Sequence, residues 1–428
     1  MKNKCFRLIC VLLIALLFNS IFFPLFCYAE DESVPEIYSP CALLMDYNSG
    51  KILYEKNIND KMYPASLTKI MTAIIVIENC NLDDVAIVSY DAVMDIPFGY
   101  VTANLQIGEE LTVEQLLNVL MVGSSNDAAI VLAEHVSGSV EDFAKLMNDK
   151  AKELGCQNTN FVNPNGEHDE NHYSTAYDLA IISRYAMQYD TFRNIVSKTV
   201  YKLPATNKYD KDDRYFTTTN YLLVTNNNSR TDNYYYKYAT GIKTGFTTPA
   251  GNCLVASSKK DNFELISVVL GGGQTKDGLS QRYLDTIALF DYGYDNYVFK
   301  GLAKKDNIIQ TIKIKNATKN TKQLEAIISD DIYALIKKEN KDSSILPEVK
   351  LKDNLKAPIK KGDVIGSVKY TAEGIDYEAD LIANNDVKKS YWFVKFIIFL
   401  FILLLCFLYL LMQKKKRVKR KAKRGGNI

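Results

Sequence analysis

An uncharged apolar run from Phe396 to Met412 constrains this chain more than any other segment, because it is long enough to cross a bilayer and leaves no polar face for water. Tyr391 and Trp392 precede it where an aromatic interface belt belongs, and Lys395 can snorkel. Lys414, Lys415, Lys416, Arg417, Lys419, Arg420, Lys421, Lys423 and Arg424 follow it. The positive-inside rule assigns that tail to the cytoplasm. A second apolar run, Leu8 to Phe26, follows Lys2, Lys4 and Arg7 and leads into Cys27-Tyr28-Ala29, a small-residue cleavage site. This pattern predicts a signal peptide over residues 1–29, with an uncleaved anchor as the alternative. The expected organisation is a transmembrane helix at 391–412, a cytoplasmic tail at 413–428 and an exported part between the two apolar runs.

The exported residues 30 to 389 carry 39 Lys and Arg against 50 Asp and Glu, a net of −11. So acidic a surface is unsuited to phosphate backbones, and the basic tail reads as a membrane stop signal; no nucleic-acid partner is expected. Cys41, Cys80, Cys156 and Cys253 are widely spaced without a CxxC pair, and a chain of this length buries a core without disulfides. They are expected to be free, mostly buried thiols.

Residues 30–296 alternate between strand-like and helix-like patterns, as in one large domain. Cys41 to Met45 and Lys51 to Tyr54 flank the turn signal Asn48-Ser49-Gly50, which predicts a hairpin. Ser66 to Glu78 has helical apolar spacing, which places Ser66 at a helix N-terminus. Thr112 to Met121, Asp127 to His135, Ser174 to Met187 and Ser280 to Tyr292 also read as helices, and Gly241 to Thr244, Cys253 to Ser258 and Leu265 to Leu270 as strands. Helices in the middle of the chain, with sheet contributed from both ends, predict an α/β (α+β) domain with a sheet flanked by helices. Residues 297–387 change to short alternating runs, a small β-rich domain.

Only three histidines are present, His135, His168 and His172, with no GxSxG elbow and no HExxH pair. A Ser-His-Asp triad and a zinc peptidase are therefore disfavoured. His172, in a loop, stays a weak candidate. What remains is a set of Ser and Lys motifs. Ser66-Leu67-Thr68-Lys69 puts a Lys one helical turn beyond a Ser on the same face. Such a Lys can act as base if desolvation and neighbouring positive charge lower its pKa. Ser257-Ser258-Lys259-Lys260 has the same spacing at the end of a strand, where its side chains diverge; it reads as solvated surface. Ser124-Ser125-Asn126 lies between two helices and offers a proton-relaying hydroxyl and an amide. Lys243-Thr244-Gly245 sits on an expected edge strand, where backbone can pair with an extended peptide and the side chains can bind an anion.

The three motifs in this order, spaced by 58 and 119 residues, form the SxxK, SxN and KTG signature of penicillin-binding proteins and class A β-lactamases. The wider context resembles the low-molecular-mass serine D-alanyl-D-alanine carboxypeptidases: Tyr63-Pro-Ala-Ser66-Leu-Thr-Lys69, Ser124-Ser-Asn126-Asp-Ala-Ala129, Asn163-Pro-Asn-Gly166, His172-Tyr-Ser-Thr-Ala176 and Thr240-Gly-Ile-Lys243-Thr-Gly245. The resemblance runs from about Ile37 to Ile382, and Lys360 to Gly366 looks like the hairpin of the family's small β-domain. The chain departs from the family in Ser125, where many members have Gly, in Phe246, where some have His, and in a membrane span where an amphipathic helix is common.

The resemblance implies a penicillin-binding transpeptidase-like fold with an antiparallel sheet. It also implies removal of the terminal D-Ala from peptidoglycan stem peptides through an acyl-enzyme, with no metal or organic cofactor, and inhibition by β-lactams. Ser66 would be the nucleophile, Lys69 its base and Ser124 the proton relay to the leaving amine. Asn126 would hold the substrate amide, the N–H groups of Ser66 and Phe246 the oxyanion, and Lys243, Thr244 and Arg282, beside Gly245, the terminal carboxylate. A β-lactamase is the nearest rival, since Glu167 to Asn171 fits ExxxN. A non-catalytic β-lactam sensor is another; its tail is too short for a signalling domain.

Overall fold

The computed structural model describes residues 34–211, 213–225 and 234–424. The expected signal peptide lies outside them. The chain divides into two compact units, between Asp295 and Asn296.

The first unit is built on a five-stranded antiparallel sheet of β1 (Cys41–Asp46), β2 (Ile52–Lys56), β7 (Ala239–Thr247), β8 (Gly251–Lys260) and β9 (Phe263–Gly272), in the order β2-β1-β9-β8-β7. The β1–β2 hairpin turns where expected: Asp46 Oδ2 accepts from the Ser49 N–H at 2.7 Å, and Gly50 adopts φ +75°. Two small ribbons, β3 (Val85–Ile87) with β4 (Glu110–Thr112) and β5 (Val200–Leu203) with β6 (Arg214–Thr217), complete the unit's strands. β1 is buried at every residue, so both faces of the sheet are covered. Leu43 and Met45 point into the core shared with the helices of the chain's middle. Leu44 faces the other way, against the helix Gln281–Asn296: a Cβ added to Gly293 would lie 3.0 Å from Leu44 Cδ2, so glycine permits that approach.

The helix Lys69–Asn79 is the axis of the helical layer. Lys69 to Val76 are all buried, with Val113–Val122, Asn126–Ser137, Val140–Glu153 and Ala176–Ala186 packed around it. A helix surrounded on all sides needs little amphipathicity, and here even its lysine is turned inward. The α-helix begins later than the apolar spacing predicts. Ala65–Thr68 is a 3-10 turn, and Ser66 therefore stands in a tighter coil just ahead of the α-helix. Ala65 holds φ +48°, a left-handed conformation that costs a non-glycine residue about 1–2 kcal/mol.

The second unit pairs β10 (Tyr297–Ala303) with β13 (Ile332–Lys337) and forms a five-stranded antiparallel sheet. Its members are β11 (Ile308–Lys313), β12 (Gln323–Ile328), β14 (Pro347–Leu351), β15 (Val364–Ala372) and β16 (Ile375–Ala383), in the order β11-β12-β16-β15-β14. Ile314, Leu324, Ile328, Ile365, Val368 and Leu381 fill its core. Lys360 to Gly366 is not a hairpin: residues 360–363 turn, with Asp363 Oδ2 accepting from the Lys360 N–H, and the chain enters β15. A helix follows over Trp392–Arg424, of which Trp392–Arg420 is long and apolar enough to cross a membrane. The basic segment continues this helix, because Lys and Arg are good helix formers.

Candidate active site

The three motifs converge on one cleft of about 560 Å³ lined by Ser66, Ser124, Asn126, Thr244, Gly245, Phe246 and Arg282. Lys69 and Lys243 stand behind its wall, 0 % and 1 % exposed. Lys69 Nζ lies 3.1 Å from Ser66 Oγ and donates to Asn126 Oδ1 and to the Asn165 carbonyl, both at 2.6 Å. Burial, then the repulsion of Lys243, hold its pKa well below the ordinary lysine range, with the Asp127 carboxylate opposing. Lys243 Nζ donates to Ser124 Oγ at 2.9 Å and to the Thr244 carbonyl at 3.0 Å; burial, then Arg282, push it down to about 7.

Each motif is placed by local structure that its residue types explain. Ser124, at φ +61°, turns the chain out of the helix Val113–Val122, and Asn126 starts the next helix. The Val101 carbonyl accepts from both the backbone N–H and the Nδ2 of Asn126, at 2.9 and 3.0 Å. Asp127, buried beside it, accepts from the N–H groups of Ala103 and Leu105, so this helix start grips the loop that carries Tyr100 to the cleft. Among the described strands β7 is at the edge, bonded only to β8. A Cβ on Gly245 would lie 2.9 Å from the Pro64 carbonyl, which is why the KTG strand can press against the 3-10 turn. Phe246 is 61 % exposed on the cleft side. Arg282 Nη1 donates to the Gly245 and Cys253 carbonyls at 3.2 and 3.4 Å, and Nη2 to Tyr283 Oη at 3.3 Å; its Nε is buried without a partner.

Other residues join the site from outside the SxxK, SxN and KTG motifs. Asn165 supplies a carbonyl to Lys69, and Thr72 Oγ1 ties the same loop down through the Pro164 carbonyl at 2.5 Å. Gly166 is packed on the nucleophile's turn: a Cβ there would lie 1.9 Å from the Ala65 carbonyl oxygen. Thr219 hydrogen-bonds the Thr244 hydroxyl, and its carbonyl accepts from Tyr283 Oη at 2.7 Å. His168, edge-on to Tyr63, lines the cleft.

His172 is not among the lining residues. It is 2 % exposed, its Nδ1 accepts from the Val162 N–H at 3.1 Å, and its Nε2 therefore carries the proton and donates to Thr68 Oγ1 at 2.8 Å. Burial pushes its pKa down to about 4, so it braces the 3-10 turn as a neutral ring. Ser257 and Ser258 also depart from expectation. Both are buried, bonded to Thr240 Oγ1 at 2.7 Å and Tyr294 Oη at 2.9 Å, and only Lys259 at the strand's end is exposed. The four cysteines outside the apolar segments are free, and three are buried. Among the described residues, no three His, Cys, Asp or Glu side chains stand close enough to hold a metal ion.

Residues 28–274 match the family model of D-alanyl-D-alanine carboxypeptidases, and residues 299–389 that of the C-terminal domain of penicillin-binding protein 5. D-alanyl-D-alanine carboxypeptidase DacF of Bacillus subtilis is 34% identical over 354 residues, 82% of this chain and 86% of that protein. DacA of Haemophilus influenzae, also a D-alanyl-D-alanine carboxypeptidase, is 33% identical over 370 residues, 84% of this chain and 88% of that protein. The crystal structure of penicillin-binding protein 5 from Haemophilus influenzae superposes with a TM-score of 0.64 at 31% identity, covering 83% of this chain and 99% of that one. With its SxxK, SxN and KTG side chains gathered around one cleft, this chain belongs to the D-alanyl-D-alanine carboxypeptidase family of serine peptidases.

Proposed function

We propose that Ser66 is the nucleophile and Lys69, as the free amine, its base. The contacts of Lys69 carry this reading. A neutral amine has two hydrogens and one lone pair, and two short hydrogen bonds, to Asn126 and Asn165, account for the hydrogens. The lone pair is left for the Ser66 hydroxyl at 3.1 Å. Ser66 Oγ would attack the carbonyl between the last two D-alanines of a peptidoglycan stem peptide, its proton passing to Lys69. The N–H groups of Ser66 and Phe246 would hold the oxyanion. Ser124, bonded to Lys243, would pass a proton to the leaving amine. Water would then release the shortened peptide.

Asn126 Nδ2 spends one hydrogen on the Val101 carbonyl, and its second hydrogen would hold the carbonyl of the substrate amide. Lys243, Thr244 and Arg282 form the positive end of the cleft and would take the free carboxylate. A β-lactamase reading has less support: Gly166 and His168 line the cleft while Glu167 between them does not. The topology we infer is single-pass, with the catalytic unit outside the cell and the basic tail inside, on the strength of the charge step after Met412.

Fluorescent penicillin tests the nucleophile. Wild-type protein should carry one lasting adduct on the peptide containing Ser66, and Ser66→Ala none. An adduct on another residue, or rapid turnover of a chromogenic cephalosporin with no adduct, would contradict the assignment.

A further inference from the structure

The two units differ in charge. Residues 30–296 carry 21 Lys and Arg against 36 Asp and Glu, whereas residues 297–390 carry 18 Lys against 14 acids. Within the second unit the lysines are polarised toward one end of the sheet. Segments 314–322, 352–363 and 384–390 hold nine lysines and three acids. The turns at the opposite end of the same strands, 304–307, 329–331, 338–343 and 372–374, hold four lysines and six acids.

These three segments are bound to one another. The Lys315 carbonyl accepts from the Ala357 N–H at 3.2 Å, Ile359 and Val387 exchange backbone hydrogen bonds at 3.0 and 2.8 Å, and the Lys388 carbonyl accepts from the Thr318 N–H at 2.9 Å. Buried Ile314, Ala357, Ile359 and Val387 pin them to the core. The chain leaves this end directly into the long apolar helix: the Ser390 N–H donates to the Asn316 carbonyl at 2.7 Å, two residues before Trp392.

All nine lysines are exposed, and among the described residues none is in an ion pair. Two of the three nearby acids are turned to the backbone: Asp363 and Asp386 accept the N–H groups of Lys360 and Lys361, each at 2.8 Å. A solvated surface would mix signs, as the opposite end does. Here one sign gathers, on a rigid collar, at the mouth of a helix apolar enough to cross a membrane.

We propose that the lysine collar formed by segments 314–322, 352–363 and 384–390 is a docking surface for the anionic headgroups of the bilayer that the Trp392–Arg424 helix enters. Charge complementarity and continuity with the apolar helix select lipid as the occupant. The proposal rests on the reading of that helix as a membrane anchor, and holds whichever leaflet receives the helix's first turn.

The test uses the full chain in lipid nanodiscs, both faces of which are open to reagent, made of phosphatidylcholine alone or of equal parts phosphatidylcholine and phosphatidylglycerol. Lysines are acetylated briefly with an N-hydroxysuccinimide ester, and rates are read by peptide mass spectrometry. In the anionic discs the collar lysines should react at least ~3-fold more slowly than in the neutral discs. Lys304, Lys305, Lys338 and Lys341 at the opposite end should be unchanged. About 1 M salt, where the Debye length falls to about 3 Å, should erase the difference. Equal collar rates in the two lipids, or slowing shared by the reference lysines, would overturn the proposal. So would protection by added polyglycerol phosphate in neutral discs with none from anionic lipid, which would give the collar to a soluble polyanion. A chain that fails to co-elute with discs would overturn the anchor reading as well.

Discussion

Arg282→Ala separates recognition of a chain end from recognition of a peptide. Two Nη1 hydrogens and one Nη2 hydrogen are spent on Gly245, Cys253 and Tyr283, at distances of 3.2 to 3.4 Å. These are long for a guanidinium, whose charge-assisted bonds run at about 2.7–2.9 Å. One Nη2 hydrogen is uncommitted in a side chain that lines the cleft. A substrate carboxylate reaching it gains at least one charge-assisted hydrogen bond, worth about 1.5–3 kcal/mol. The variant should therefore lose about 10- to 150-fold in kcat/KM on a free-acid D-Ala-D-Ala peptide. On the same peptide capped as a C-terminal amide the loss should be much smaller. Any loosening of β7 and β8, where Gly245 and Cys253 sit, falls on both peptides alike, so the ratio of ratios isolates the carboxylate contact. A variant that keeps the wild-type preference for the free acid would refute Arg282 as the carboxylate anchor.

Lys69→Ala should remain folded yet acylate with penicillin at least ~100-fold more slowly, the loss typical of removing a general base; near-normal acylation would move the base elsewhere. His172, held neutral by burial at about 4 against an ordinary 6.5, makes the unfolded chain the better proton acceptor between those values. Its contribution, about 3 kcal/mol, is complete above pH 6.5 and lost as pH falls toward 4. Denaturant midpoints of wild type and His172→Gln should accordingly converge on acidification, and a constant gap would contradict the assignment. For topology, protease added to cells with a permeable wall should remove the catalytic unit and spare an epitope placed after Ile428; loss of the epitope would put the tail outside.

Much of the fold was legible because its signals are local. The β1–β2 hairpin follows from a turn triplet between two apolar runs, and the edge position of Lys243-Thr244-Gly245 from the strand pattern around it. The three motifs name Ser66, Ser124, Asn126 and Thr244, which line the cleft, and the two lysines behind its wall. What stayed hidden depends on approach between distant segments. A backbone carbonyl has no residue signature, so nothing marked Asn165 as a partner of Lys69 across 96 residues. Gly166 has a φ of +84°, as many turn glycines do, and only the nearness of Ala65 shows that it shapes the nucleophile's turn. Thr219 lies in a polar stretch with no periodicity and is identified by the Thr244 hydroxyl and the Tyr283 phenol it meets. His172 was ambiguous for the opposite reason. Its residue type is catalytic in many enzymes, and burial against Thr68 makes it structural here. Ser257 and Ser258 were misread because hydroxyls at a strand end look solvated until Thr240 and Tyr294 close over them.

In the proposed reaction Ser66 takes the acyl group of a D-Ala-D-Ala peptide and D-alanine leaves. Mass spectrometry of an acyl-D-Ala-D-Ala pentapeptide incubated with the full chain tests it most directly. The expected result is conversion to the tetrapeptide with one equivalent of free D-Ala, abolished in Ser66→Ala and blocked by prior treatment with penicillin. An intact pentapeptide, in the presence of stable penicillin labelling of Ser66, would contradict it and favour a β-lactam sensor.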